Sequence, residues 1–446
     1  MQIQQIPPSS LRPYARNARV HSRRQIRKIA RSIEKFGFVN PVLVSDDLEI
    51  IAGHGRVAAA ILLGLKTVPV LKLSHLSEAD RRAYVIADNK LALDAGWDRE
   101  TLAIELQGLI DVGFEVELTG FEVPEIDIVL ESANEPAREP GREDQVPEPP
   151  KTPVTRHGDC WRLGAHRLLC ADARADTSYA DLLGTDQADV VFTDPPYNVQ
   201  MAGNAGGRGR IRHAEFVMAS GEMSEAEYIA FLRTTLGHAA RVSRDGAVQF
   251  VFMDWRHLFE LYSIARDIYS EVLNLCVWAK TNAGMGALYR SQHELVLVAK
   301  VGTAPHRNNV ELGRHGRNRT NLWIYQGMTT VRADRADEYA LHPTIKPVSL
   351  ITDAIRDVSQ RGDIVLDPFS GSGSTIIAAE RSGRRARAIE LDPVFCDVAV
   401  RRWQSFTGKT AFLESTGESF EEIAEVRALA SEAPTDSSFP TNHNGE

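Results

Sequence analysis

Two clusters of residues with chemical potential stand far apart in this chain. At Asp194-Pro195-Pro196-Tyr197 a carboxylate, two consecutive prolines and an aromatic ring follow the apolar run Val190-Val191-Phe192-Thr193. Consecutive prolines fix φ and donate no hydrogen bonds, so the Pro195 carbonyl is presented rigidly. A carboxylate and a carbonyl placed on the two hydrogens of a conjugated amino group would favour a pyramidal nitrogen and aim its lone pair at an electrophile. Tyr197 then offers a face for a planar base, a stacking contact worth roughly 1 to 3 kcal/mol. The plain alternative is an Asp-Pro turn ending a strand.

The second cluster is Asp367-Pro368-Phe369-Ser370-Gly371-Ser372-Gly373, directly after Ile364-Val365-Leu366. The chain must turn tightly there into a helix beginning near Ser374-Thr375, and Gly371 and Gly373 permit both the turn and close approach of a ligand. Free N–H groups at the helix start would receive an anionic carboxylate. Roughly 20 residues on, Glu390 ends the next strand, where an acid accepts hydrogen bonds from ribose hydroxyls. A glycine loop by itself is also an ordinary strand-to-helix turn. The pattern G-x-x-x-x-G-K is absent, so a P-loop nucleotide site is not supported.

Together the clusters resemble the catalytic loop and the S-adenosylmethionine loop of DNA amino-methyltransferases. The catalytic loop comes first, as in the circularly permuted beta class, and the resemblance spans about residues 155–408. It implies catalysis by Asp194, Pro195, Pro196 and Tyr197 on a base flipped out of duplex DNA. It also implies S-adenosyl-L-methionine held by Asp367, Phe369, Gly371, Gly373, Thr375 and Glu390, with Asp172 near the adenine ring. Lys346, in His342-Pro343-Thr344-Ile345-Lys346-Pro347, would pair with the methionine carboxylate; a helix N-terminus capped by Thr344 is the plain reading of that segment. Asp at the first catalytic position is more usual in adenine N6 enzymes, and cytosine N4 is the runner-up. Carbon-5 methylation would need a nucleophilic Cys after a Pro on this loop, and none is there. Two other readings are a ParB-like DNA-binding or regulatory protein with an inactive methyltransferase half, and a protein-glutamine methyltransferase. Intact Asp194, Tyr197, Gly371 and Glu390 disfavour the first; Asp194 and the permuted order disfavour the second.

The elements that must position these residues read as alternating strands and helices. Apolar runs at 167–170, 189–193, 247–253, 271–278, 294–299, 363–366 and 385–389 predict buried strands. Such alternation predicts an α/β, Rossmann-like doubly wound sheet, with both loops at carboxyl ends of strands and sharing one cleft. A chain of 446 residues, 43% hydrophobic, is enough for two folded units plus linkers. The expected division is a small α/β domain at 1–97, an acidic appendix and Pro/Glu-rich linker at 98–154, the methyltransferase domain at 155–413, and an acidic, disordered tail at 414–446.

The net charge of −9 at first argues against a nucleic-acid partner. Residues 98–150 carry 15 acids against 3 bases and 414–446 carry 8 against 1, so the rest of the chain has a net charge of about +10. The basic residues suit duplex DNA. Arg208, Arg210 and Arg212 in the glycine-rich 203–213 suggest a basic loop meeting phosphates, with solvated surface as the equal reading. Residues 301–340, where Arg307, Arg314, Arg317 and Arg319 are interleaved with Asn308, Asn309, Asn318 and Trp323, form the candidate target-recognition segment, since Arg pairs with guanine and Asn with adenine.

In the first hundred residues, Ile50 to Ala59, Phe36 to Pro41 and Ala87-Asp88-Asn89-Lys90 resemble a ParB/sulfiredoxin-type domain. That resemblance implies a phosphate site at Gly53, His54, Gly55 and Arg56, with turn and surface roles equally open. Val57 replaces the second Arg of the partition-protein pattern and no helix-turn-helix unit is recognised after it, so a DNA-binding or docking accessory is expected rather than nucleotide hydrolysis. Cys160, Cys170, Cys276 and Cys396 are scattered, which predicts reduced thiols and no metal site. No apolar stretch approaches membrane-spanning length and no signal peptide is recognised, so a cytoplasmic protein is expected. A homodimer stays open. Nothing in the chain resembles a restriction nuclease, which fits a solitary or phage-type modification enzyme.

Overall fold

In the computed structural model the chain divides into two units, Met1–Arg138 and Glu139–Glu446. The structure describes residues 2–94, 96–134, 142–198, 221–280, 289–310, 319–326 and 345–432.

The first unit is built on strands β1 (Ile3–Ile6), β2 (Val42–Val44), β3 (Ile50–Ala52) and β4 (Val68–Lys72), in the order β1-β4-β2-β3. Helix α1 (Arg23–Phe36) starts where the Ser22 side chain accepts the Gln25 amide, and it stops at Gly37, whose φ of 78° favours glycine. Helix α2 (His54–Leu62) begins two residues after β3, because Gly53 takes the left-handed conformation (φ 104°) that lets the chain turn straight out of the strand. Its Val57 and Ala60 pack on Val42, Val44, Val68 and Val70.

The expected acidic appendix is instead part of this unit. After α3 (Glu78–Asp94), helices α4 (Arg99–Asp111) and α5 (Val123–Asn134) enclose a core of Ala103, Leu106, Val116, Ile126, Val129 and Leu130. The acids have a local purpose: Glu122 pairs with Arg24 and Lys28, each at 2.9 Å, and Glu115 pairs with Arg31. All three bases lie on α1, so the acid-rich segment complements a basic helix of its own unit. Charge counting along the chain could not see this pairing.

The second unit is a ten-stranded sheet. Its strands are β5 (Cys160–Leu163), β6 (His166–Cys170), β7 (Ala188–Thr193), β8 (Ser243–Met253), β9 (Glu271–Ala279), β10 (His293–Lys300), β11 (Leu322–Ile324), β12 (Ile364–Asp367), β13 (Arg385–Glu390) and β14 (Phe412–Leu413). The order is β11-β9-β10-β8-β7-β12-β13-β6-β5-β14. From β8 to β6 all pairings are parallel. Helices α6 (Asp176–Leu183), α7 (Glu225–Arg241) and α8 (Leu258–Ile268) bury one face, and α9 (Val348–Val358), α10 (Ser374–Ser382) and α11 (Pro393–Thr407) bury the other. Helices on both faces explain why the central strands read as continuous apolar runs rather than alternating ones.

The tail expectation also fails over its first part. Helix α12 (Phe420–Glu432) buries Phe420 and Ile423, the Phe420 ring lies 5.1 Å from that of Trp161, and Arg427 binds Asp159 and the Val154 carbonyl. Two apolar anchors and one half-buried arginine outweigh the acidic composition that suggested disorder; residues 433–446 lie outside the described residues. The end of the linker is likewise docked. Glu143 accepts from Arg381 at 2.8 Å, Arg402 donates to the Glu143 carbonyl at 2.9 Å, and Asp144 accepts the Val348 amide at 3.0 Å. Phe420→Ala should therefore destabilise the second unit by about 3 kcal/mol or more, the scale of a buried aromatic truncation. Urea unfolding checks this, and an unchanged midpoint would mean the tail is dispensable.

Candidate active site

Four adjacent parallel strands, β7, β12, β13 and β6, end at the same edge of the sheet, and an acid stands at or just beyond the end of each: Asp194, Asp367, Glu390 and Asp172. The pairing of Val365 with Val190 and of Leu366 with Val191 sets the two signature loops side by side. They line one cleft, with Asp194 to Tyr197 on one wall and Asp367 to Ser372, Thr375 and Glu390 on the other. This is the switch-point position expected of a doubly wound sheet.

On the glycine-loop side, Asp367 accepts from the Thr375 hydroxyl at 2.6 Å and the Phe369 amide at 3.1 Å. Glu390 accepts from the Gly371 and Asp392 amides at 2.7 and 2.9 Å, which ties the loop to the end of β13. Burial pushes both carboxyls up to about 7 against these hydrogen bonds. Gly371 has a φ of +51° and a Cβ there would meet nothing within 4 Å, whereas one at Gly373 (φ +81°) would come within 2.9 Å of the Ala399 side chain. Gly371 thus serves the turn, and Gly373 also serves helix packing. Behind the loop, the buried Arg402 guanidinium donates to the Ser372 carbonyl and hydroxyl and to Ser374 Oγ.

On the other wall, Tyr228 of α7 donates to the Pro196 carbonyl at 3.0 Å and so fixes the proline pair. The Tyr197 hydroxyl donates to Asp194 at 2.5 Å and lies 3.1 Å from Glu294. Lys346, only 5% exposed, sits between the two acids, 2.5 Å from Asp194 and 3.0 Å from Glu294, and Lys280 pairs with Glu294 from its other side. Burial works to lower the Lys346 ammonium, but Asp194 and Glu294 overcome it and the net shift is upward. Burial likewise opposes ionisation of Glu294, yet Lys346 and Lys280 hold it down at about 2. For Asp194, burial exceeds the help of its single lysine and the shift is upward.

Several expected site residues are placed elsewhere. Asp172 turns its carboxylate onto Arg174 at 2.6 Å, and its neighbours Ala171 and Ala173 line the cleft instead. Lys346 is committed to Asp194 and Glu294. Arg307 pairs with Asp363; Arg319 binds Asp357 at 2.9 Å and the Tyr325 hydroxyl at 2.7 Å; Asn309 is buried against the Arg356 and Ser359 carbonyls; and Trp323 is in the core. These side chains hold the domain together rather than face a groove, because an Arg or Asn near a carboxylate or free carbonyl is satisfied there first. Arg208, Arg210, Arg212, Arg314 and Arg317 lie outside the described residues. In the first unit, Gly53, His54, Gly55 and Arg56 line a cleft with Arg19, His21 and Asp88. There the Arg56 Nε has no partner among the described residues, and burial lowers both His54 and Arg56.

Glu294, Lys280, Tyr228 and Arg402 were missed by sequence reasoning. One signal was available: His293-Glu294 opens an otherwise apolar strand, and an acid entering a buried strand needs a cation.

Residues 188–401 match the family described as DNA methylase, the N6/N4 methyltransferases. The second unit carries an N6/N4 DNA methylase domain. Residues 1–89 of the methylase match the ParB N-terminal domain, and 100–157 match the ParB-methyltransferase HTH domain. The last match corrects the expectation that no helix-turn-helix follows the ParB-like unit: α4 and α5 fall in it, and their acidity disguised them. A ParB-like nuclease domain-containing protein of Escherichia coli (strain K12), YnaK, is 49% identical over 76 residues, 17% of this chain and 87% of its own. The type II methyltransferase M2.MboI of Moraxella bovis is 24% identical over 226 residues, 49% of this chain and 81% of its own. Among solved structures, the cytosine-N4-specific PvuII DNA methyltransferase aligns with a TM-score of 0.41 at 14% identity, covering 63% of this chain and 95% of that one. The M1.HpyAVI–SAM complex aligns with a TM-score of 0.39 at 20% identity, covering 53% and 97%. Among the described residues, no His, Cys, Asp and Glu grouping suits a metal ion, and no helix is long and apolar enough to cross a membrane.

The elevated carboxyls give a pH signature. Asp367 and Glu390 have folded values of about 7 against ordinary values of 3.8 and 4.5. The stability they contribute is therefore complete below the ordinary values and is lost as pH rises through about 7. The melting temperature of the cofactor-free methylase should fall between about pH 4 and 7, and Asp367→Asn should flatten that fall. An unaltered slope in the variant would show that Asp367 titrates normally.

Proposed function

We propose that the second unit transfers the methyl group of S-adenosyl-L-methionine to the exocyclic N6 of adenine in duplex DNA, with the base flipped into the cleft. The observation that carries this reading is the shared cleft: an Asp-Pro-Pro-Tyr loop and a glycine loop with its strand-end acid face one space.

The residues present suit the cofactor. Ser370 Oγ is buried with no partner among the described residues, the backbone at Gly371 is open to a ligand, and Phe369, Leu391 and Phe395 supply apolar lining. Glu390 would accept from ribose hydroxyls, and Asp367 would receive the ammonium of the methionine end. When bound, S-adenosylmethionine supplies a methyl that leaves with the C–S electron pair remaining on sulfur as the amino lone pair forms the new C–N bond. Asp194 and the Pro195 carbonyl would hold the two amino hydrogens and aim the lone pair, with Pro195 kept in place by its own ring and by the Tyr228 bond to Pro196. Asp194 then takes the proton that the methylated nitrogen must lose. The ParB-like unit with its helix-turn-helix segment would hold the enzyme on DNA, and its cleft at His54 and Arg56 would receive phosphate groups.

Purified protein incubated with unmethylated duplex DNA and S-adenosylmethionine should yield N6-methyladenine by nucleoside mass spectrometry. Asp194→Ala should lower the rate at least about a hundredfold, the scale of losing one transition-state hydrogen-bonding group, with cofactor affinity retained. N4-methylcytosine as the product would put cytosine in the place of adenine. No modified base from any DNA would overturn the reading.

A further inference from the structure

The buried charges beside Asp194 exceed what an amino-group acceptor needs. Lys346 Nζ lies 2.5 Å from the carboxylate oxygen of Asp194 that does not receive the Tyr197 hydroxyl. The acceptor required by a target amine is thus already in use. The same ammonium lies 3.0 Å from Glu294 and is enclosed by the rings of Phe252, Trp278 and Tyr197, whose centroids are 5.0, 5.9 and 5.8 Å away. Such an aromatic enclosure retains a cation even when one of its anions is withdrawn. Glu294 has its own second cation in Lys280, and all of this meets at the carboxyl edge of the sheet because β10 runs antiparallel to both β8 and β9.

We propose that Glu294 and Lys346 are positioning residues that hand Asp194 over to the substrate. Lys346 holds the Asp194 carboxylate ionised while the site waits, and Glu294 keeps the ammonium when the target amino group displaces it. The inference rests on the methyl-transfer reading above and assigns Lys346 to the catalytic acid rather than to the cofactor carboxylate.

The atoms balance within that reading. The amino nitrogen gives its lone pair to the new C–N bond, becomes cationic, and passes one proton to Asp194, which becomes a neutral carboxyl. Lys346, still an ammonium on Glu294, returns to Asp194 as the product leaves, favours the carboxylate and drives the proton to solvent. Among the described residues, the charged and titratable groups that face Asp194 are Lys346 before α9, Glu294 on β10 with Lys280 behind it, Tyr197 on its own loop, Tyr228 on α7 and Asp367 on β12. Of these only Lys346 is a cation in contact with Asp194, and burial otherwise raises Asp194.

The test is the pH dependence of kcat in Glu294→Gln, Lys346→Met and Lys346→Arg, with wild type and Asp194→Ala alongside. Glu294→Gln confines the ammonium to Asp194, so kcat should fall by roughly a hundredfold, the cost of a misplaced catalytic group, at an unchanged KM for the cofactor. Its acid limb should move to lower pH. Lys346→Met leaves Asp194 buried without a cation, so its acid limb should move to higher pH, and Lys346→Arg should bring the limb back. A purely structural pair would lower stability without moving the two limbs in opposite directions. A second readout needs neither cofactor nor DNA. With Asp194 raised further in Lys346→Met, its contribution to stability is lost as pH rises, so the melting temperature should drop relative to wild type as pH rises above the ordinary carboxylate range, and adding Asp194→Asn should restore it. A wild-type kcat and pH profile in Glu294→Gln, or limbs that shift the same way, would overturn the hand-over. Absence of methylated base from the wild type would instead overturn the methyl-transfer reading, and the cofactor-free melting series would still decide whether Lys346 sustains the Asp194 charge.

Discussion

Everything at the cleft depends on the parallel pairing of β7 with β12. The two strands are far apart in the chain, yet two register pairs set them side by side, and the Asp189 carboxylate on β7 accepts the Ile364 amide that opens β12 at 2.8 Å. Parallel neighbours finish at the same edge of a sheet, so the loops that follow them must face each other. The order of the two loops along the chain is then immaterial to the site. A catalytic strand that precedes the cofactor strand lands in the same place as one that follows it, which is why permutation leaves the cleft intact.

Parallel strands buried on both faces bring a cost that the edge has to manage, since polar groups gathered at strand ends are partly removed from water. The site answers differently on its two walls. Asp367 and Glu390 have backbone amides and one hydroxyl for partners, and they remain high. Asp194 and Glu294 have lysines, yet the sharing is unequal, because Glu294 has two and Asp194 has one. Glu294 is therefore the settled anion and Asp194 the adjustable one. An adjustable carboxylate beside the proton it must accept suits a group whose work begins with a neutral amine and ends with an extra proton.

Charge has a separate role in the first unit. The acids of 98–134 do not make a solvated appendix; Glu115 and Glu122 lie against the basic α1, and apolar side chains close a core between α4 and α5. A helix-turn-helix segment with this composition depends on its neighbour for charge balance. The docked Glu143 and Asp144 also secure the second unit, where the Glu143 carboxylate pairs with Arg381, its carbonyl accepts from Arg402, the arginine that braces the glycine loop, and Asp144 caps the chain just after Lys346.

The position of both loops at one cleft was legible in the sequence because each is a contiguous stretch that follows an apolar strand run. The strands were legible for the same kind of reason: doubly buried parallel strands are short apolar runs, and those at 189–193, 363–366 and 385–389 lie within a residue or two of the observed bounds. Compositional reasoning failed where acids found partners across the fold, as in Glu122 with Arg24 and Lys28, and where a few anchors such as Phe420 secured an acidic helix. It failed again for Arg307 and Arg319, whose types suggest base contacts and whose neighbours Asp363 and Asp357 claim them first. The sequence by itself determined the two loop motifs and the strand pattern, both of which depend on local residue order. Only the tertiary structure decided which charges meet, including Lys346 with Asp194 and Glu294, because an ion pair is set by distance in space and three different elements had to converge before that distance existed.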